Sequence, residues 1–378
     1  MTTALGIVVV VIWAVLLFGR SRWWRAREQD DGVLGEPGTW PAVIAVVPAR
    51  DEAVVIGRAV ASLVAQDYPG DFSVIVVDDD SSDETAAVAR ATGGSRLTIV
   101  SAAPLAAGWT GKLSAVAQGI GLAGDVPTYL WLTDADIEHA PDTLRRLVSR
   151  AVAERAVLVS HMARLRTDSL AERALVPAFV WFFMMLFPFA AVNRPGRTAA
   201  AAGGVMLVDR AALAQAGGIA AIRTTLIDDC ALAKLMKTQG KIVLLLTRRS
   251  LSLRPYRRVG DIGAMIARSA YAQLNYAPAL LAGTLVGLAL SFLAPPILAV
   301  FTGGWPQAAG FVAWGAMSAA FQPVLRFYRR SPAWGAALPA IAAVYGWYTL
   351  VSAAQHLRGR GGQWKGRAQA ASPQAARR

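Results

Sequence analysis

Short apolar runs alternate with stretches of helical spacing through the middle of the chain. Each run is rich in Val, Ile and Leu and ends at a proline or a polar residue. Strands that alternate with helices form a mostly parallel sheet covered by helices on both faces. We therefore predict a Rossmann-like α/β domain over residues 41–270. The predicted strands are 43–47, 74–77, 97–100 and 129–133, and the predicted helices are 54–65, 83–91 and 113–122.

Longer apolar stretches lie on both sides of this domain. Residues 4–18 carry no charge, and arginines follow them at once. This order is typical of an uncleaved anchor, because a signal peptide carries its charges before the apolar segment. The pattern predicts four regions outside the domain: an N-terminal transmembrane anchor over 1–20, a basic juxtamembrane linker over 21–40, a C-terminal transmembrane region of about three helices over 277–354, and a disordered basic tail over 355–378.

Composition agrees with a chain that lies partly in a bilayer. Hydrophobic residues make up 55% of it, charged residues 17%, and the net charge is +13. Arginine clusters beside apolar stretches are typical of contact with anionic headgroups, and the positive flank of the anchor predicts a cytoplasmic domain. Three C-terminal spans would then place the basic tail on the non-cytoplasmic side of the membrane. This conflicts with the rule that basic flanking residues stay in the cytoplasm, so the number and orientation of these spans stay open. No aromatic-basic motif indicates nucleic acid.

One apolar stretch, 175–192, falls inside the predicted domain. A single membrane crossing there would separate the acidic residues at 228–229 from those at 134–136. Pro177 and Pro188 also disfavour a straight span. We therefore predict that this stretch lies in the interface plane of the membrane or packs on the domain.

Acidic residues follow two of the predicted strands. Asp78 and Asp79 end the second strand, and Asp134 and Asp136 follow the fourth. Because ligands of such sheets bind beyond the carboxyl ends of the strands, both groups are expected at one site. Adjacent carboxylates need a cation or hydrogen-bond donors, and hard oxygen ligands suit Mg²⁺ or Mn²⁺. We predict a divalent metal at Asp134 and Asp136. We also predict that Asp78, Asp79 and Asp134 bind a ligand with a nucleobase and a ribose, called the donor below.

Lys112 begins a predicted helix after Gly111. The pair resembles part of a phosphate-binding P-loop, but Ala106 and Leu113 stand where that loop needs Gly and Ser or Thr. A lysine at a helix N-terminus still suits a phosphate, so Lys112 is a donor-binding candidate. The alternative interpretation is a solvated surface lysine.

Two further motifs are candidates for catalysis and for binding the molecule with the attacking hydroxyl, called the acceptor below. Gly203 and Gly204 lie in a run of small residues and permit close backbone approach to an acceptor. Asp228 and Asp229 precede a helix, where they either cap it or supply a general base for an attacking hydroxyl. The single cysteine, Cys230, and three distant histidines indicate no zinc site.

In this order the motifs resemble the family 2 glycosyltransferases, which have the GT-A fold. Residues 47–52 resemble the family's first strand and loop, in which Asn is more usual than Asp51. The resemblance covers about residues 42–270 and implies a site for a nucleotide-sugar donor, with a UDP-sugar expected. The residues that match its motifs are Pro48, Ala49, Arg50, Glu52, Asp78, Asp79, Gly111, Lys112, Asp134, Asp136, Asp228 and Asp229, with Asp229 as the base.

Two departures from the family pattern bear on the reaction. Asp228 replaces the usual Glu, and the Gln-x-x-Arg-Trp motif of processive members has only Arg268 as a counterpart, in a segment without Gln or Trp. Arg268 is therefore kept as a donor-binding candidate, and processive polymer synthesis is not expected.

The layout of anchor, catalytic domain and C-terminal spans is similar to the glycosyltransferases associated with bacterial hopanoid biosynthesis and to ceramide glucosyltransferases. This similarity implies an inverting enzyme of a bacterial inner (cytoplasmic) membrane, with its domain facing the cytoplasm and with a lipid acceptor. Two alternatives stay open: transfer to a polyprenyl phosphate, and a non-catalytic membrane scaffold or transporter.

Overall fold

The computed structural model describes residues 2–359, 363–364 and 367–368 of the chain. Residues 2–359 divide into two compact units that are each assembled from separate segments. The sheet unit comprises Glu28–Arg166 and Val192–Pro255, and the helical unit comprises 2–27, 167–191 and 256–359. In this division residues 167–191 and 256–270 belong to the helical unit.

The part of the chain that the structure describes contains fourteen α-helices. In order they are α1 (Thr2–Phe18), α2 (Ala53–Val64), α3 (Thr85–Gly93), α4 (Gly111–Ala123), α5 (Thr143–Glu154), α6 (Leu170–Leu186), α7 (Phe189–Val192), α8 (Arg210–Gln215), α9 (Asp228–Lys237), α10 (Val259–Gln273), α11 (Pro278–Leu288), α12 (Ala294–Phe301), α13 (Gly304–Phe327) and α14 (Leu338–Leu357). Short 3₁₀ turns occur at Arg20–Arg25, Gly94–Arg96, Ile219–Ile222 and Pro332–Gly335.

The sheet unit contains one eight-stranded sheet, which is mixed where a mostly parallel one was expected. Strand order is β3-β2-β1-β4-β7-β6-β8-β5. The β1–β2, β2–β3, β1–β4 and β6–β8 pairs are parallel, whereas the pairs of β4 and β6 with β7, and of β5 with β8, are antiparallel. The strands are β1 (Val43–Ala49), β2 (Phe72–Asp78), β3 (Leu97–Ser101), β4 (Tyr129–Leu132), β5 (Ile137–His139), β6 (Ala156–Arg164), β7 (Met206–Asp209) and β8 (Lys241–Ser252).

The core of the sheet unit lies where β-branched strand residues meet amphipathic helices. Ile56, Val60 and Leu63 fall on one face of α2 and are fully buried, as their i, i+4, i+7 spacing requires. They belong to one cluster with Val76 of β2 and Trp131 of β4. This core fixes the strand ends that carry the candidate site.

The segment at the start of the sheet unit is held by a buried carboxylate and its partners, here named the Asp30 cluster: Asp30, Arg146, Arg249 and His161. Asp30 is 4% exposed; its carboxylate accepts hydrogen bonds of 3.0 and 2.9 Å from Arg146, and its carbonyl accepts one of 2.9 Å from Arg249. Burial lowers the pKa of His161 to about 4 although Asp30 opposes the shift. The predicted linker is thus partly built into the sheet unit.

The helical unit is organised around buried aromatic side chains. Trp181 of α6 stacks 6.5 Å from Trp13 of α1 and contacts Phe292 and Phe321 edge-on at 5.9 and 5.8 Å. The indole N–H of Trp181 donates to the Ala320 carbonyl at 3.0 Å, which satisfies its polar atom within an apolar core. The 175–192 stretch therefore begins in a helix that packs against other helices of this unit.

Two helices of the part of the chain that the structure describes are long and apolar enough to cross a membrane. They are Pro278–Phe301, which includes a π-helical turn at Ala289–Leu293, and Gly304–Phe327. They approach closely at Gly310, where a Cβ atom would lie 2.5 Å from the Ala299 nitrogen. The predicted third stretch forms α14, and α1 is a shorter apolar helix of 17 residues.

The predicted disordered tail falls mostly outside the described residues. Its first residues, 355–357, end α14 and are helical. Two-residue strands, β9 (Gln363–Trp364) and β10 (Arg367–Ala368), pair antiparallel.

Candidate active site

Three neighbouring parallel strands end at one edge of the sheet and carry most of the predicted donor-binding residues. In the register Ala49 pairs with Asp78, and Val46 pairs with Leu132. The chain beyond each end is tied to its neighbour, since the Asp79 amide donates to the Ala49 carbonyl at 2.8 Å. The predicted convergence of Pro48, Ala49, Asp78 and Asp79 with Asp134 at this edge follows from that register.

Arg50 lies against the second strand's acidic turn. Its guanidinium contacts the Asp79 carbonyl and lies 3.9 Å from the Asp79 carboxylate and 3.7 Å from that of Asp80. Asp79 is 4% exposed, so a favourable cation offsets part of the cost of its burial. The structure thus brings together three predicted donor-binding residues, Arg50, Asp78 and Asp79.

Asp51 has a backbone conformation that accounts for its residue type. Its φ is +50°, in the left-handed region that Asn and Asp adopt more readily than other non-glycine residues. Its carboxylate accepts a hydrogen bond of 2.7 Å from the Ser82 amide. Ser82 therefore holds the β1 loop and does not cap α3, whose N-cap is Glu84.

Lys112 lies between two of the predicted acidic motifs. Helix α4 begins beside it, with the Thr110 hydroxyl accepting from the Leu113 amide. The Lys112 ammonium lies 2.8 Å from Asp134 and 2.9 Å from Asp228. Burial opposes its charge, but attraction and hydrogen bonds from both carboxylates raise its pKa above the usual value. Lys112 is thus a charged bridge and not a solvated surface lysine.

Asp229 is held beside this bridge, at the start of α9. Its carboxylate accepts hydrogen bonds from the amides of Gly203 at 3.1 Å and Cys230 at 2.7 Å. Burial and then repulsion by Asp228 raise the pKa of Asp229 to about 6, although Lys112 and both amides oppose the shift. We name Lys112, Asp134, Asp228 and Asp229 the site cluster.

The two predicted acceptor glycines have different surroundings. A Cβ atom on Gly203 would lie 3.4 Å from the Lys112 nitrogen and 3.6 Å from an Asp229 oxygen, so its backbone adjoins the site cluster. A Cβ atom on Gly204 would instead lie 3.2 Å from Ile137. Only Gly203 faces the candidate site directly.

Asp136 and Glu52 share a basic partner that the sequence did not single out. The Arg254 guanidinium donates from Nε to Asp136 at 2.8 Å and from Nη2 to Glu52 at 2.5 Å. Arg254 is one of five arginines over residues 248–258, which as a cluster beside apolar stretches indicate contact with anionic headgroups. The antiparallel pairing of β5 with β8 carries it to the site instead, and no local pattern in the sequence reveals that pairing.

The carboxylates of the Asp134–Asp136 motif therefore contact different cations. Among the described residues, no group of three or more His, Cys, Asp or Glu side chains shares a metal position. Two carboxylates nevertheless fit Mg²⁺ or Mn²⁺, which complete their coordination shell with phosphate oxygens and water.

A buried hydrogen-bonded chain supports the residue before Asp134. The Thr133 hydroxyl donates to the Gly204 carbonyl at 2.7 Å and lies 3.1 Å from Nε2 of His139, whose Nδ1 lies 3.0 Å from the Ser250 hydroxyl. Burial, followed by repulsion from His161, lowers the pKa of His139 to about 3, so its ring is neutral. Because the hydroxyl hydrogen of Thr133 lies in the hydrogen bond to the Gly204 carbonyl, the hydroxyl oxygen accepts a hydrogen bond from Nε2–H of His139. Nδ1 of His139 then accepts from the Ser250 hydroxyl.

A small cleft lies beside the site cluster. Its polar wall is formed by side chains and backbone already described, and its remaining wall is apolar. The apolar lining residues are Leu113, Val116, Leu132, Met206, Ile219, Ile222 and Leu232.

Arg268 lies on α10 of the helical unit. Its donor-binding role remains a prediction.

The comparisons with known proteins agree with this fold. The model of glycosyl transferase family 2 matches residues 44–217. The structure of mannosyltransferase PcManGT from Pyrobaculum calidifontis, in complex with GDP-Man and Mn²⁺, aligns with a TM-score of 0.55 at 20% identity, over 94% of this chain and 99% of that chain. This similarity shows a shared fold. Residues 44–217 thus resemble a family 2 glycosyltransferase domain.

Among curated proteins, the chain is similar to two 4,4'-diaponeurosporenoate glycosyltransferases of Staphylococcus aureus. Identity is 40% over 79 residues for the protein of strain MRSA252, which is 21% of this chain and 20% of that protein. It is 41% over 75 residues for strain bovine RF122, which is 20% of this chain and 19% of that protein. The match spans about a fifth of the length of these curated relatives.

Proposed function

We propose that this protein is a membrane-bound inverting glycosyltransferase that moves a sugar from a nucleoside-diphosphate donor to a lipid hydroxyl. One observation carries the proposal: Lys112 joins Asp134 to Asp228, beside the amide-bound carboxylate of Asp229. A cationic group that would suit a diphosphate therefore lies next to a carboxylate of raised pKa.

The donor half of the site is assigned to the ends of β1, β2 and β4. Asp79 and Arg50 bind the nucleoside, with Pro48 and Ala49 forming the adjacent backbone and Asp78 completing the turn. Mg²⁺ or Mn²⁺ held by Asp134 and Asp136 would neutralise the diphosphate and make it a better leaving group. Lys112 adds a second positive charge, and Arg268 is the further candidate for this role.

The acceptor half is assigned to Asp229 and Gly203. The acceptor oxygen attacks the anomeric carbon while the bond from that carbon to the diphosphate oxygen breaks, and the Asp229 carboxylate takes the hydroxyl proton. With a pKa of about 6, Asp229 is mostly ionised at neutral pH and is a stronger base than an ordinary aspartate. Asp228 holds Lys112 and raises that pKa.

A lipid acceptor and a membrane location are supported by three features. Two helices are long and apolar enough to span a bilayer, the site cleft has an apolar wall, and the curated relatives are named for glycosylation of 4,4'-diaponeurosporenoate. We assign the protein to the bacterial cytoplasmic membrane, with the sheet unit facing the cytoplasm and a hopanoid-related or ceramide-like acceptor.

The test is transfer of labelled sugar from UDP-sugars and GDP-mannose to lipids extracted from the source membrane, with the purified full chain in detergent. Label in a chloroform-soluble, alkali-stable product that disappears on metal chelation supports the proposal. No donor turnover with any nucleotide sugar would contradict it and favour a scaffold or transporter. Full activity of Asp229→Asn would favour a polyprenyl phosphate acceptor, which is already an anion and needs no base.

A further inference from the structure

Arg254 has a position that none of the assigned roles uses. Its guanidinium joins Asp136, which follows β4, to Glu52, which follows β1, at 2.8 and 2.5 Å. The two carboxylate side chains are 12% and 10% exposed, whereas that of Arg254 is 34% exposed. A partly exposed arginine thus lies over two almost buried carboxylates.

The backbone of each acidic residue is held by a hydrogen bond, whereas the guanidinium lies at the end of a longer side chain. The Asp136 carbonyl accepts from the Leu253 amide at 2.7 Å, and the Glu52 amide donates to the Thr85 hydroxyl at 2.7 Å. Arg254 reaches both acids through a long side chain with several rotatable bonds. Its head group can therefore exchange partners without moving the sheet.

Asp136 cannot give the same oxygen to Arg254 and to a divalent metal. Both cations need a short contact, and they repel each other at that distance. Arg254 holds Oδ2 of Asp136, so a metal that takes this oxygen displaces the guanidinium, whereas a metal on Oδ1 alone would leave the pair intact. The planar fork of N–H donors on the displaced side chain matches a phosphate as well as a carboxylate.

We propose that Arg254 is a donor-binding residue that exchanges Asp136 for the donor diphosphate when the metal binds. The proposal rests on the metal-dependent donor binding stated under Proposed function. The exchange links the two ligands: metal alone must displace Arg254 at a cost, whereas metal with nucleotide provides the displaced guanidinium with a phosphate partner. Metal and nucleoside diphosphate should then increase each other's affinity.

The experiment measures Mn²⁺ binding to the full chain by electron paramagnetic resonance, with and without saturating UDP and, in parallel, GDP. Arg254→Gln should bind Mn²⁺ alone about tenfold more tightly than the wild type, because its competitor is gone, and the gain in Mn²⁺ affinity caused by the nucleotide should fall about tenfold. Arg254→Lys should give intermediate values. Arg248→Gln, an exposed arginine on β8, is the matched control and should behave as wild type.

Each outcome decides the matter. If Arg254→Gln equals the wild type in both quantities, the exchange is wrong while the proposed function stands. If the wild type binds neither Mn²⁺ nor a nucleotide, the proposed function fails and the exchange fails with it. If Arg254→Gln does not fold, Arg254→Lys decides: unchanged Mn²⁺ affinity and unchanged coupling would overturn the exchange.

Discussion

The sheet unit contains two groups of charged residues with opposite balance. In the Asp30 cluster, one carboxylate faces two arginines, Arg146 and Arg249. In the site cluster, the ammonium of Lys112 faces three carboxylates. A group with at least as many cations as carboxylates can join segments of the chain, whereas an excess of carboxylates is unfavourable unless another cation binds. Charge balance therefore separates a structural group from a candidate site, although both contain ion pairs of similar length.

The largest effect expected in the site cluster comes from Asp229→Asn. Loss of a general base lowers turnover by about 10²–10⁴-fold. Because the amide keeps the shape of the side chain, affinity for Mn²⁺ and UDP should stay within about threefold of wild type. The measurement is sugar transfer at saturating donor beside nucleotide binding. A variant that loses transfer and binding together would place Asp229 in donor binding.

The Asp30 cluster should respond in the opposite way. Asp30→Asn leaves Arg146 and Arg249 without their buried anion, and breaking such a pair costs about 3 kcal/mol. We expect a lower melting temperature for the detergent-solubilised chain and an unchanged turnover per folded molecule. Asp67→Asn is the control, because the Asp67 side chain is 65% exposed in its ion pair with Arg145. Equal melting temperatures for the two variants would contradict the structural role.

The pH dependence sharpens the comparison at Asp229. Since the base acts only when ionised, kcat/KM should be constant above pH 7 and fall about tenfold per unit below a pKa of about 6. The profile of Asp229→Asn should be flat in that range. A wild-type rate that stays constant down to pH 5 would rule out this base.

The raised pKa of Asp229 also affects the stability of the fold. Its effect has the opposite sign from that of most carboxylates, whose pKa is lowered on folding. The folded protein holds the Asp229 proton more tightly than the unfolded chain, so ionisation of Asp229 reduces stability as pH rises from about 4 to 6. Asp229→Asn should therefore gain melting temperature relative to wild type at pH 7 and gain less at pH 4.

The smallest effect is expected at His139, which acts through Thr133 and contacts no ligand. His139→Phe removes both of its hydrogen bonds and should raise the KM for the donor about tenfold with little change in kcat. His139→Gln keeps a donor for Thr133 and should restore most of the affinity. The ¹⁵N shifts of His139 in the wild type should report a neutral ring protonated at Nε2 through pH 5–8. A titrating His139 would contradict this positioning role.

The sequence allowed prediction of the features that depend on local pattern. Asp78 and Asp134 follow apolar runs, and the pairing of parallel strands brings such ends together, so their convergence could be predicted. The contact of Arg254 with Asp136 depends on β5, which follows β4 in the chain and pairs antiparallel with β8. No local pattern in the sequence marks this reversal of direction. Asp30 was assigned to a basic linker because nearby arginines dominate the composition, whereas its partners lie more than a hundred residues away.

The alternation of the chain between its two units has a consequence for how such proteins diverge. The chain leaves or enters the sheet unit at residues 27–28, 166–167, 191–192 and 255–256. No single recombination joint can exchange one complete unit for that of another protein, and a truncation that keeps residues 28–255 still carries α6 and its apolar surface. We expect the catalytic and the helical parts to be inherited together, so that changes of acceptor arise by substitution within both and not by exchange of modules.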